Sequence, residues 1–291
     1  MKNILITGGT GYLGTCLSNK FVKKGYSIHV PTRRSHVELN RLNSQNIRFI
    51  HFKTYHELCE KLQDVDIDLV IHCACAYGKE NEDFADIIKS NYNYGFEIMH
   101  ALGAKVNTIK FININTSLDK FTNLYAFTKK QFSEMAKFLS NQSMFFENFI
   151  NVELEHYFGP HASEQNFIQF LISRLQKSVN SIDLTNGDQV RDFIYIDDVV
   201  DAIHFLSEIE FSEVYYDIAL GTGRGLRVSD AVKHIKSQMQ SSVDLNFGAL
   251  PYRENEMMES IADIKFLNKL GWHPKYSFET GVEEILIRME R

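Results

Sequence analysis

The heptapeptide GGTGYLG at residues 8–14 constrains this chain more than any other stretch. It follows a short apolar run at residues 4–7 and opens a segment in which Leu13, Leu17 and Phe21 recur every four residues. That recurrence predicts one buried face of a helix, and Gly25 predicts its end. Gly8, Gly11 and Gly14 are three residues apart. Lacking Cβ, such glycines permit a tight turn, let a pyrophosphate approach the backbone and let helix and strand pack closely, while the helix N-terminus offers unpaired N–H groups to an anion. A glycine triad alone is weak evidence. Placed between an N-terminal strand and a helix, it predicts a dinucleotide site in which Gly8, Gly11, Tyr12, Leu13 and Gly14 meet the cofactor.

Further apolar runs follow at SIHVP, IRFIHF, DLVIHCA, IKFININT and ENFINVELEH, alternating with helical patterns at about 80–102 and in YAFTKKQFSEMAKFL. Strands apolar on both faces alternating with helices predict an α/β fold: a Rossmann-like doubly wound parallel sheet with a smaller, interwoven C-terminal α/β substrate lobe. The expected division assigns residues 1–159 to the dinucleotide domain, with 190–219 returning to it, and residues 160–189 plus 220–291 to the second lobe. The chain of 291 residues, 44% hydrophobic, can bury a core of that size.

A net charge of −6 argues against a nucleic-acid or anionic-membrane partner. Cys16, Cys59, Cys73 and Cys75 lie in apolar stretches without the spacing of a disulfide scaffold, and a C-x-C pair alone is no zinc site, so buried thiols are expected. With no signal-peptide pattern and no apolar run long enough to span a bilayer, a cytoplasmic location is expected. Asp64, Asp66 and Asp68 lack the glycine and distal Glu of a calcium loop, which predicts a solvated turn and no metal.

The second strand bears on the choice of dinucleotide. A site for NAD usually places Asp or Glu at its end, about 20 residues beyond the glycines. Here Thr32, Arg33 and Arg34 occupy that place. A hydroxyl and two guanidinium groups suit a 2′-phosphate, which predicts NADP(H). Two arginines at a strand end are also a common solvated surface pair.

Tyr125 and Lys129 are four residues apart, hence on one helical face. An adjacent ammonium stabilises tyrosinate, which makes Tyr125 a candidate acid/base, and the same Lys129 can hold a nicotinamide ribose. Strand five ends in Asn115-Thr116-Ser117, so a hydroxyl from Thr116 or Ser117 can meet a carbonyl beside the tyrosine. Cys75 and Tyr77, past strand four, are candidate walls of a substrate site. The stripe Phe132, Met135, Ala136 and Leu139 suits either a dimer helix or plain core.

Taken in order, GGTGYLG, DLVIHCA, YAFTK, YFGP, RDFIYIDDVVDAI, VYYDIALGTGRG, PYRENE and LGWHP resemble the extended short-chain dehydrogenase/reductase, or NAD-dependent epimerase/dehydratase, family of nucleotide-sugar enzymes. The resemblance covers nearly the whole chain. It implies a nucleoside-diphosphate sugar as substrate, hydride transfer at a sugar carbon, Thr116 as the catalytic hydroxyl, Tyr125 as acid/base and Lys129 as the ribose-binding lysine. It also implies that Arg191 and Arg253 bind the diphosphate, that His156 contacts sugar or diphosphate, and that the protein is a homodimer.

Departures narrow the activity. The Asp-Glu pair that the family's sugar dehydratases carry after the hydroxyl is Ser117-Leu118 here, so dehydration is not expected. Tyr125 follows Thr116 by only nine positions, a shortened loop over the sugar. The Asp-Leu usual after strand three is Thr54-Tyr55, which puts that adenine contact in doubt. The run VELEHYFGP, with NTSLD and Asn91, looks like the branch of NDP-4-keto-6-deoxyhexose reductases that includes the CDP-abequose and CDP-paratose synthases. The resemblance therefore implies NADPH-dependent reduction of a C4 ketone for deoxysugar and surface polysaccharide biosynthesis. The alternatives are a nucleotide-sugar epimerase with retained NAD and a non-catalytic dinucleotide-binding protein. From the residues alone, Arg191 could instead pair with Asp192 or Asp197, and His156 could be a buried structural histidine.

Overall fold

The computed structural model describes residues 2–33, 45–78, 82–103, 108–141, 147–177 and 179–289. β1 (Asn3–Thr7) passes through the glycine turn into α1 (Tyr12–Lys23), followed by β2 (Ser27–Thr32), β3 (Ile47–His51), α2 (Tyr55–Gln63) and β4 (Leu69–His72). Next come α3 (Phe84–Ile88), a π-helical turn at Lys89–Asn93, α4 (Tyr94–Leu102), β5 (Lys110–Thr116), α5 (Leu124–Asn141) and β6 (Asn148–Leu154). The chain continues through β7 (His156–Phe158), α6 (Phe167–Gln176), β8 (Ser181–Leu184), β9 (Val190–Tyr195), α7 (Ile196–Glu208) and β10 (Tyr215–Leu220). It ends with β11 (Gly225–Arg227), α8 (Val228–Gln238), β12 (Asp244–Phe247), β13 (Glu259–Ser260), α9 (Lys265–Leu270) and α10 (Phe278–Met289).

One sheet has the strand order β10-β6-β5-β4-β1-β2-β3. β1 pairs in parallel with β2 and β4, β2 with β3, and β4 with β5. This is the doubly wound Rossmann arrangement, and the strand order reverses between β1 and β4, where such sheets bind their ligands. Burial explains the apolar strands: Ile4, Leu5, Ile6, Val70 and Ile71 have no exposed surface. α1 buries Leu13, Leu17 and Phe21, the predicted face.

Contacts divide the chain into two compact units, Met1–Glu153 with Ala202–Ile218, and Leu154–Asp201 with Ala219–Arg291. The division differs from the expected one at 154–159 and 190–201, stretches expected in the first lobe that belong to the second unit and include β7 and β9. β9 instead pairs with β7, β11 and β13. The reason is Asp192, fully buried on β9. Its carboxylate accepts hydrogen bonds from Thr222 N and Oγ1 (2.8 and 2.6 Å), Gly223 N (2.8 Å) and Ala262 N (3.3 Å), holding the strand among segments of the second unit. Elsewhere in that unit β8 and β12 form a parallel pair.

One local expectation is also revised. The single helix expected at 80–102 is interrupted by the π-helical turn that carries Asn91. On α5 the stripe splits: Phe132 and Ala136 are in the core, while Met135 is exposed. The Phe132 ring lies against α4, where a Cβ added at Gly95 would come within 2.3 Å of it. Phe132 also meets Phe96 edge-on, with centroids 4.9 Å apart. Gly95→Ala should therefore overpack this contact and destabilise the protein by about 1–3 kcal/mol. Urea unfolding, read as a lower midpoint, checks this.

Candidate active site

At the glycine turn, Gly8 has a φ of 65° and donates no room for a side chain: a Cβ there would lie 2.8 Å from Ala74 N. A Cβ at Gly14 would lie 2.3 Å from the Gly8 carbonyl oxygen. At Gly11 the same test meets only that oxygen, at 3.2 Å, so the outer face of the turn is open. The first N–H groups of α1 have no acceptor within the helix and face the approach of an anion. These features fit a dinucleotide pyrophosphate, held by Gly11, Tyr12, Leu13 and Gly14.

Thr32 is buried at the end of β2, and Arg33 beside it is exposed. The Arg33 guanidinium acts to lower the pKa of Tyr94 on α4, against the larger upward effect of burial. Arg34 lies outside the described residues. Thr54, in place of the family's acid, caps α2 by accepting from Glu57 N.

The catalytic candidates of the first unit converge on α5, β5 and the loop after β4. Asn91, fully buried on the π-helical turn, accepts from Ala76 N (2.7 Å) and donates to Ala76 O (2.9 Å) and Thr128 Oγ1 (3.1 Å). It thereby joins the loop carrying Cys75 and Tyr77 to the helix carrying Tyr125 and Lys129. The Tyr77 and Tyr125 rings are tilted against each other, with centroids 4.9 Å apart. Tyr77 is 44% exposed, so it stands over the tyrosine at the surface. Thr116 is buried; its backbone N–H donates to Asn115 Oδ1 (2.9 Å), and its Oγ1 accepts from Leu118 N (3.2 Å).

Lys129 is 1% exposed, and its Nζ has no hydrogen-bond partner among the described residues. Burial lowers its pKa, opposed by Cys75 and Cys73. The same burial pushes the Cys73 thiol up to about 12 and raises Cys75. His72, buried and near the ammonium, is held neutral, with Nδ1 2.8 Å from Thr7 Oγ1. An ammonium buried without an acceptor, one helical turn from Tyr125, fits a missing ribose hydroxyl pair.

In the second unit, Arg191 pairs with neither Asp192 nor Asp197. Its Nη2 is 2.6 Å from Glu256 Oε1, and Nη1 donates to Val190 O at 2.9 Å. Asp197 instead meets Arg288 at 3.0 Å. Arg253 is exposed. His156 is partly exposed, with Nδ1 3.4 Å from Glu155 Oε2, while Ser260 Oγ donates to that buried carboxylate.

The sequence model described as the NAD dependent epimerase/dehydratase family matches residues 4–219. The chain belongs to the NAD-dependent epimerase/dehydratase family. The CDP-abequose synthase of Salmonella muenchen is 30% identical to it over 294 residues, 99% of this chain and 98% of the relative. The CDP-abequose synthase of Salmonella typhimurium (strain LT2) is 30% identical over 296 residues, 98% of each. Among solved structures, the UDP-glucose 4-epimerase of Thermotoga maritima superposes with a TM-score of 0.84 at 21% identity, covering 99% of this chain and 100% of that one. At that identity the likeness is one of fold. No helix among the described residues is long and apolar enough to cross a membrane.

The asparagines of this family member carry more of the site's framework than the sequence motifs indicate. Asn113 and Asn115, alternate residues on one face of β5, both donate to Asn151 Oδ1 (2.8 and 3.2 Å), and Asn151 donates to Asp217 Oδ1 (2.9 Å). The alternation was the available signal. Because burial lowers Lys129 from its ordinary 10.5, folding is disfavoured at pH values below the lowered pKa and the penalty fades as pH rises towards 10.5. Lys129→Met should accordingly stabilise the cofactor-free protein near pH 7 by about 1–3 kcal/mol, a gain that shrinks in alkaline buffer. Thermal melts at both pH values check the sign.

Proposed function

We propose that this protein is an NADPH-dependent reductase of the C4 ketone of a nucleoside-diphosphate 4-keto-6-deoxyhexose, acting in deoxysugar biosynthesis for surface polysaccharide. The observation that carries the reading is the Lys129 ammonium, buried without a hydrogen-bond partner among the described residues, one turn from Tyr125. Full-length likeness to relatives named CDP-abequose synthase supports a reductase over the other activities of the family. Two solved neighbours named as epimerases are 20% and 21% identical and weigh less. Several solved neighbours are complexes with NAD; Thr32, Arg33 and Arg34 support NADP(H) here.

When bound, NADPH supplies the hydride. Tyr125 donates the proton to the alkoxide that develops on the former carbonyl oxygen, so that one hydride and one proton together reduce the ketone to the alcohol. The Thr116 hydroxyl hydrogen-bonds the same oxygen and stabilises its growing charge. Lys129 holds the ribose and, by its charge, favours tyrosinate after proton transfer. Gly8, Gly11, Tyr12, Leu13 and Gly14 hold the pyrophosphate. Cys75 and Tyr77 border the sugar, and Arg191, Arg253 and His156 serve the diphosphate and sugar. Thr32, Arg33 and Arg34 hold the 2′-phosphate. The reading includes a cytoplasmic homodimer, for which exposed Met135 and Phe138 on α5 offer contact surface.

Purified protein should oxidise added NADPH with one of the CDP-, dTDP-, GDP- or UDP-linked 4-keto-6-deoxyglucose substrates, and Tyr125→Phe should lower kcat by about 10²–10⁴-fold with NADPH affinity unchanged. Copurification with NAD and interconversion of sugar epimers without added reductant would establish the epimerase instead. NADPH should be preferred over NADH, and Arg33→Ser should narrow that preference in steady-state kinetics.

A further inference from the structure

In the second unit, residues 250–258 have little regular structure of their own yet are tied down repeatedly. Leu250 N donates to Leu184 O (3.0 Å), and Met258 O accepts from Val190 N (2.8 Å), fixing the two ends. Inside them, Tyr252 is bonded twice to Asp188: its hydroxyl donates to Asp188 Oδ2 (2.9 Å) and accepts from Asp188 N (3.1 Å). Glu256 N donates to Arg253 O (3.1 Å), closing a turn, and its carboxylate meets Arg191 at 2.6 Å. Tyr252 and Glu256 are thus both pinned to the stretch 188–191, and Arg253 stands between the two pins.

The two arginines differ in charge balance. Arg191 is buried, paired with Glu256 and acted on by the nearby Glu155, so its positive charge is already compensated. Arg253 is exposed and makes no ion pair among the described residues. A flexible arginine loses side-chain and backbone freedom when it binds an anion, and holding its backbone beforehand reduces that loss.

We propose that Tyr252 and Glu256 are positioning residues that fix the turn carrying Arg253, so that this guanidinium is presented to the diphosphate, with Arg191 anchoring the Glu256 carboxylate. The proposal rests on the reading of Arg253 as a diphosphate ligand. It gives Tyr252 and Glu256 a part in substrate affinity and none in the chemical step.

Titration calorimetry with CDP, dTDP and UDP, followed by the tightest of the three, tests it. Arg253→Met should weaken binding about tenfold or more, as loss of a charged hydrogen bond does. Tyr252→Phe, which keeps the ring, and Glu256→Gln should each weaken binding roughly three- to tenfold, raise KM for the sugar nucleotide and leave kcat and NADPH affinity unchanged. In the Arg253→Met background neither should have any further effect. Wild-type affinity in Tyr252→Phe, or an undiminished loss in the Arg253→Met background, would overturn the proposal while leaving the reading of Arg253 intact. Tighter binding by Glu256→Gln would overturn it too, making Glu256 a competitor for Arg191. Wild-type affinity in Arg253→Met would instead overturn the reading of Arg253 itself, and the proposal with it.

Discussion

A methyl group at residue 14 would lie 2.3 Å from the Gly8 carbonyl oxygen, and one at residue 8 would press on the backbone of Ala74. Because neither is present, α1 can start directly against β1, and the segment after β4 can pass beside the same turn. Thr7 completes the junction: its backbone carbonyl accepts from Cys73 N, and its hydroxyl meets both His72 and Ala74. β1 and β4 are where the order of the sheet reverses, so this close approach sets the geometry of the site that the sheet leaves open at that point. Cys75, Tyr77 and the Asn91 clamp follow from it in the chain.

Polar groups in the first unit are buried in two different ways. Asn91, Asn115 and Asn151 are satisfied by specific partners, and such closed networks fix one arrangement because each lost bond leaves a buried group unpaired. They hold Thr116, the loop after β4 and α5 in register. Lys129 is the opposite case, an ammonium enclosed with no acceptor of its own. In the proposed reading its partner arrives with the cofactor, and the penalty of burying it is recovered only then. Rigidity around an unsatisfied charge is a common property of binding sites, and here both features occur within one helical turn of Tyr125.

The second unit distributes its charges by a similar logic. Asp192 and Asp198 are consumed by backbone N–H groups, the latter by Lys275 and Tyr276, and their work is to hold segments together. Arg191 belongs with them as much as with any ligand, given its 2.6 Å bond to Glu256. The two arginines that the family resemblance assigns to the diphosphate are therefore unequal. Their difference lies in burial and partners, which pattern does not encode.

From the sequence alone came the Rossmann fold, the glycine turn, the placement of Tyr125 and Lys129 one turn apart on a helix, and the family, because these depend on local periodicity and on residues close together in the chain. The parallel character of the sheet followed from the same alternation of strands and helices. Only the tertiary structure decided that β9 is held by Asp192 in the second unit, that Asn91 sits on a π-helical turn and reaches Ala76 and Thr128, and that Arg191 is neutralised by a glutamate 65 positions away. Each of these is a contact between distant segments, made by side chains whose own neighbours in sequence give no sign of it. The sequence determined which groups are available for the chemistry; the packing of distant segments decided which of them remain free to meet a ligand.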